Sequence, residues 1–202
     1  MDYMDYDKSK VIVALDNYSV PMAEEIIAHW QNKVYGFKLN HNLYPYIGKK
    51  YNNIFCDYKL YDIPNTMEGI IENLIADDCD MVTVHVTNNK SAIESLKKYS
   101  DKIKLLGVSV LTSWNYADVD KVFRSTVEDI YNRTICLMED NGFYGMICSA
   151  QDLLYTPKTS LKKVCPGIRS GASDDDQVRI TTPQQAFENG ADYLVMGRSF
   201  FK

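Results

Sequence analysis

No apolar run in these 202 residues approaches the ~20 needed to cross a bilayer as a helix. The longest runs, such as Val11 to Leu15, are the size of a strand, so no membrane partner is expected. The first eight residues, Met-Asp-Tyr-Met-Asp-Tyr-Asp-Lys, are acidic and lack the apolar centre of a signal peptide, which makes the cytoplasm the expected compartment. A basic cluster is missing as well, and the formal net charge is −5. That balance argues against a nucleic-acid surface, yet it leaves room for an anionic small molecule held by a local positive site. The fifteen tyrosines lack the basic neighbours that a stacking platform for single strands needs. Cys-x-x-Cys spacing does not occur. Cys56, Cys79, Cys136, Cys148 and Cys165 are scattered, most of them in or beside apolar runs, as reduced core residues of a cytosolic protein are. Zinc is not expected.

What the chain does have is a substantial apolar fraction, 46% of its residues, enough for the core of one sizeable domain over residues 1–202. Strand-like and helix-like segments alternate along it. Strands are expected at Lys10–Asp16, Val34–Leu39, Asn53–Leu60, Asp80–His85, Lys102–Leu111, Gly142–Cys148, Leu161–Cys165 and Asp192–Met196. Between them, helical spacing covers Pro21–Gln31, Asn65–Ala76, Ser91–Lys98, the less regular stretch Ala117–Asp140, a brief piece at Ala150–Leu154, and Pro183–Asn189. Eight strands separated by helices fit a (β/α)8 TIM barrel better than an open doubly wound sheet. Only Gly197-Arg-Ser-Phe-Phe-Lys202 follows the eighth strand, so the barrel is expected to lack its final C-terminal helix.

The densest chemistry lies in Asp57-Tyr-Lys-Leu-Tyr-Asp-Ile-Pro-Asn-Thr66. In an extended chain Asp57 and Lys59 point to the same side about 7 Å apart, and Asp62 follows in the turn. Such a cluster is unfavourable at a strand's end unless its charges neutralise one another, and carboxylates around a lysine keep an ammonium charged and aimed. Functional residues of a barrel gather at strand C-termini. There the sequence places Asp16, Lys38, Asp57 with Lys59, His85, Thr112 with Ser113, Arg169, and Gly197 with Arg198. His85 is read as a satisfied strand-end residue without chemistry. The connection Pro166–Thr182 is long and rich in Gly, Ser and Asp, as a lid would be, and carries Arg169, Gln177 and Arg179. Together with Gly197 and Arg198 it occupies the usual phosphate position of the fold.

Taken in order, Val13-Ala-Leu-Asp16, Asp57–Thr66, Asp80-Met-Val-Thr-Val-His85, Val110-Leu-Thr-Ser113, Pro166-Gly-Ile-Arg169, Asp176-Gln-Val-Arg179, Thr182-Pro183 and Gly190–Arg198 resemble the orotidine 5′-phosphate decarboxylase family over almost the whole chain. The resemblance implies loss of carbon dioxide from orotidine 5′-phosphate to give UMP, with no metal and no organic cofactor. It casts Lys59 as the acid that protonates C6, Asp57 as the neighbour of the substrate carboxylate, and Lys38 as a ligand of Asp57 and the ribose. Asp62, Ile63 and Thr66 are implied to be lent across a homodimer interface. Asp16 resembles a ribose-hydroxyl ligand, Thr112 and Ser113 pyrimidine contacts, and Arg169, Gln177, Gly197 and Arg198 the phosphate grip. Asn40 stands where the family usually has glycine, and Tyr61 where it often has histidine. Two other readings share part of this pattern. A Mg²⁺-dependent sugar-phosphate decarboxylase or aldolase of the 3-keto-L-gulonate 6-phosphate type has the Asp-x-Lys-x-x-Asp element but is expected to continue differently from Ile63-Pro-Asn-Thr66. A barrel that binds UMP-like ligands without turnover is the third.

Overall fold

Eight parallel strands close into a barrel in sequence order, β1-β2-β3-β4-β5-β6-β7-β8, with β8 pairing back on β1. The structure is a computed structural model, and it describes residues 6–156, 158–169 and 181–201. The strands are β1 (Val11–Ala14), β2 (Gly36–Leu39), β3 (Ile54–Leu60), β4 (Met81–His85), β5 (Lys104–Val108), β6 (Gly145–Ile147), β7 (Lys162–Cys165) and β8 (Tyr193–Met196). Around them run α1 (Val20–Trp30), α2 (Tyr44–Ile47), α3 (Pro64–Ala76), α4 (Lys90–Glu94), α5 (Tyr116–Phe123), α6 (Val127–Asp140) and α7 (Pro183–Glu188). The TIM barrel expected from the alternation is therefore present. Each strand is trimmed relative to its apolar run, because several residues at the run ends lie in loops outside the ladder.

Two apolar layers follow from the period of two in each strand. Val11, Val13, Phe37, Leu39, Ile54, Cys56, Val82 and Val84 face outward into the shell beneath the helices. Ile12, Phe55, Met81, Leu106, Val108, Ile147, Val164 and Val195 face inward and fill the barrel. The inward parity continues to Lys38 from β2, to Asp57 from β3 and to Thr83 from β4, so the layer above the apolar plug is polar. At the opposite end Lys104 donates to Asp80 and to the Tyr35 hydroxyl, both at 2.7 Å, and Tyr144 and Tyr193 meet at 3.0 Å. Gly36 is needed where β2 meets β3: a Cβ there would stand 2.1 Å from the Asn53 carbonyl oxygen.

The stretch read as helical from Ala117 to Asp140 is two helices. Arg124 takes a left-handed conformation, φ 50°, while its N–H bonds back to Asp120; the next helix then opens on Thr126, whose hydroxyl accepts the Asp129 N–H. That is a strong N-cap, and it restarts the helix in a new direction. The piece expected at Ala150–Leu154 is a 3-10 turn over Asp152–Tyr155. Beyond β8 the chain forms a 3-10 turn, Arg198–Phe201, and Phe200 packs edge-on against Trp30 at 4.8 Å.

Candidate active site

The C-terminal mouth of the barrel holds a cavity of about 440 Å³. Its floor is the inward apolar layer (Phe55, Val108, Ile147, Val195) and its wall is charged. The register of β3 against β4 explains how the charges converge. Cys56 pairs with Val82 and Leu60 with Val84, so Asp57, Tyr58 and Lys59 stand opposite Thr83 alone. Two extra residues make a bulge, which bends a strand and re-aims its side chains. Lys59 absorbs the bend with φ 48°, a left-handed backbone that is unfavourable by roughly 1–2 kcal/mol for a residue with a Cβ. Sites that hold such strain are frequently functional.

Four side chains then form a continuous ionic row. The Lys38 ammonium lies 2.6 Å from Asp16 Oδ2 and 2.9 Å from Asp57 Oδ2; the Lys59 ammonium lies 2.8 Å from the same Asp57 oxygen. The second Asp57 oxygen accepts the Thr83 hydroxyl at 2.9 Å. Burial alone would push the Asp57 carboxyl up, but Lys38 and then Lys59 outweigh it and hold the group down at about 2. Burial likewise opposes the charge on Lys38, yet Asp57 and Asp16 carry its pKa above the ordinary lysine value. His85 is held low, first by burial and then by the Lys59 charge, so it is a neutral neighbour of the row. A negative centre clamped by two ammonium groups can place positive charge beside a developing carbanion and supply a proton to it.

The expected site residues divide into three groups. Asp16, Lys38, Asp57, Lys59, Thr112, Ser113, Arg169, Gly197 and Arg198 all line the one cavity. Among the described residues Asp16 Oδ1 is buried without a hydrogen-bond partner, an acceptor suited to a donor such as a hydroxyl. Around Gly197 the nearest atom a Cβ would meet is the Ala14 carbonyl oxygen at 4.0 Å, so packing does not demand glycine there and the bare backbone leaves room for an anion. Asp62, Ile63 and Thr66 form the second group. They are exposed on the rim beyond β3 and do not line this chain's own cavity. Asp62 Oδ1 accepts the N–H of Ile63 at 2.7 Å, and the Asn88 amide holds the Asp62 carbonyl at 2.8 Å. Within one chain, then, the carboxylate that holds Lys59 is Asp57, and Asp62 does not join it. Gln177 and Arg179, with most of the long connection, lie outside the described residues. The ends of that connection are tied together, since the Arg169 N–H donates to the Thr181 carbonyl at 3.0 Å and the Ser199 hydroxyl to that of Ile168 at 3.0 Å.

Three residues of the site were not singled out from the sequence. Asn17 and Tyr18 line the cavity beside Asp16, and nothing in their local pattern marks them apart from adjacency to that strand end. Thr83 was legible: it shares inward parity with Met81 and His85, and a hydroxyl in an otherwise apolar strand is a signal. Asn40 closes the turn after β2, accepting the Asn42 N–H at 3.0 Å and reaching the Asp16 carbonyl at 3.4 Å. Among the described residues no three His, Cys, Asp or Glu side chains group in a way that could hold a metal ion.

Comparison with known proteins places this geometry in context. The family model described as "Orotidine 5'-phosphate decarboxylase / HUMPS family" matches residues 9–202. The orotidine 5′-phosphate decarboxylase of Idiomarina loihiensis is 31% identical over 206 residues, 94% of this chain and 89% of that protein. That of Bacillus cereus is 34% identical over 219 residues, covering 95% and 90%. Among solved structures, the orotidine 5′-phosphate decarboxylase of Lactobacillus acidophilus superposes with a TM-score of 0.76 at 26% identity, over 94% of this chain and 90% of that one.

Proposed function

The chain belongs to the orotidine 5′-phosphate decarboxylase / HUMPS family, and from that membership we infer that it converts orotidine 5′-phosphate to UMP and carbon dioxide, a step of pyrimidine synthesis in the cytoplasm. The observation that carries the reading is the row Asp16–Lys38–Asp57–Lys59 at the mouth of a cavity that Gly197 and Arg198 also line, at the end of the strand paired with β1.

In this reading the phosphate seats on the Gly197 backbone and the Arg198 and Arg169 guanidinium groups, with Gln177 completing the grip. The ribose hydroxyls meet Asp16 and Lys38, and the pyrimidine lies against Thr112 and Ser113. The 6-carboxylate comes beside Asp57. As the bond from C6 to the carboxylate breaks, its electron pair stays on C6 and carbon dioxide departs. A Lys59 N–H proton then moves to C6, leaving a neutral amine that regains a proton from solvent. Metal and organic cofactors have no part in this scheme. Stabilising that charge by groups already in place is the largest contribution expected of the protein, and binding the distant phosphate contributes to closing the site.

The active unit is proposed to be a homodimer of single-domain chains (residues 1–202). Tyr61 and Ile63, at 61% and 62% exposure, flank Asp62, and a partner would cover them. Asp62, Ile63 and Thr66 would then complete the neighbouring chain's cavity. Neither nucleic acid nor membrane is a proposed partner; among the described residues no helix is long and apolar enough to cross a bilayer.

The test is the loss of orotidine 5′-phosphate absorbance with purified protein, in the presence and absence of a chelator. Turnover indifferent to the chelator is expected. Dependence on Mg²⁺ would favour the sugar-phosphate branch, and UMP binding without turnover would favour the non-catalytic barrel.

A further inference from the structure

Thr83 is fully buried, and its hydroxyl reaches the ionic row from β4. It does two things with a single oxygen. The O–H donates to Asp57 Oδ1 at 2.9 Å, and the oxygen accepts the backbone N–H of Lys59, also at 2.9 Å. The bulge explains the second bond. With three residues of β3 set against Thr83 alone, the Lys59 N–H is turned away from the ladder, and a side chain takes the place of the missing backbone acceptor. An unpaired N–H in this position would be buried in the barrel wall, which native structures avoid.

We propose that Thr83 is a positioning residue for the decarboxylation: its hydroxyl locks the Asp57 carboxylate in rotation and holds Lys59 in its left-handed backbone, so that the Lys59 ammonium is aimed into the cavity. Asp57 Oδ2 carries both ammonium groups, so the carboxylate can turn about its own axis unless the other oxygen is fixed. Thr83 fixes it. The same oxygen ties down the backbone of the next inward-facing residue on β3, which is the proposed acid. One buried hydroxyl therefore sets the angle between the two charged groups that flank the reacting carbon. It touches neither substrate nor reacting atom, and it acts through Asp57 and Lys59. Valine has nearly the same shape and lacks the hydroxyl, whereas serine keeps the hydroxyl and lacks only the methyl group.

This inference rests on the decarboxylase reading, so the experiment has one arm that depends on turnover and one that does not. In the first, Thr83→Val lowers kcat by about tenfold or more, as expected for a displaced reacting group, and leaves KM within about twofold because the phosphate and ribose contacts stay. The acid limb of its kcat profile moves to higher pH, because Asp57 loses a donor that favours its ionised form. Thr83→Ser restores both. In the second, amide hydrogen exchange at Lys59 is slow in the parent and in Thr83→Ser and faster in Thr83→Val. If Thr83→Val does not fold, Thr83→Ala against Thr83→Ser makes the same comparison. Kinetics that follow side-chain size instead of the hydroxyl, or Lys59 exchange unaffected by loss of the hydroxyl, would overturn the proposal. A parent protein without turnover would sink the decarboxylase reading, and the exchange arm would still decide the role of Thr83.

Discussion

Asp57 and Lys38 meet at 2.9 Å with only 12% and 11% of their side chains exposed, which makes this the best-shielded ion pair of the site among the described residues. Ions so enclosed are destabilising to bury and persist because each offsets the other. Lys38→Ala removes the shared cation between Asp16 and Asp57, taking the paired ammonium from Asp16 and leaving Asp57 with Lys59. Unfolding in urea should show a loss of roughly 3–5 kcal/mol, the usual consequence of breaking one half of a buried pair. A loss below about 1 kcal/mol would mean that water already screens the row.

Lys59 is 40% exposed and, among the described residues, forms its ion pair with Asp57, so its removal leaves Asp57 still paired with Lys38. Lys59→Ala should therefore fold. Its kcat is expected to fall by about 10²–10⁴ or more, the range for loss of a positioned general acid. Calorimetry with UMP should still detect binding. Turnover near that of the parent would remove Lys59 from the proton transfer.

Acid stability follows from Asp57. Its folded pKa is depressed from 3.8 to about 2. A depressed carboxylate contributes stability that is complete above the unfolded value and disappears as the pH falls through the folded one. The difference corresponds to roughly 2 kcal/mol, present at pH 5 and lost between about pH 4 and pH 2. Asp57→Asn should flatten the stability curve across that window, as measured by urea midpoints at stepped pH. An unchanged slope would place the acid sensitivity elsewhere.

Much of this site could be read from the chain because its logic is local. Strand parity places Phe55, Asp57 and Lys59 on one side of β3, and Gly197 with Arg198 follows directly from the end of β8. What escaped reading depends on contacts distant in sequence. Nothing near Lys59 announces the bulge, and the acceptor that its backbone N–H finds there is Thr83, 24 positions away. The break at Arg124 was hidden because that residue is not the glycine that commonly ends a helix. The four-residue α2 is too short for helical periodicity to appear. Asp62 was read as a possible counter-charge to Lys59, and in the single chain its carboxylate turns instead to the Ile63 N–H, a choice that spacing alone does not decide.

The position of Asp62 makes the homodimer testable by mixing. Asp62 is exposed and does not line its own cavity, so Asp62→Ala should fold like the parent, yet it should be inactive if the carboxylate serves the neighbouring chain. Lys59→Ala is inactive for a different reason. When the two variants exchange subunits at equal concentration, half of the dimers carry one defect of each kind. In such a dimer one cavity combines both defects, because the Lys59→Ala chain receives its loop from the Asp62→Ala chain. The other cavity has an intact Lys59 and an intact borrowed Asp62. Mixing two inactive proteins should therefore restore about a quarter of the parental activity, rising with the time allowed for exchange. No recovery, in a sample where light scattering finds dimers and mass spectrometry finds mixed ones, would mean that Asp62 serves its own chain or no site at all.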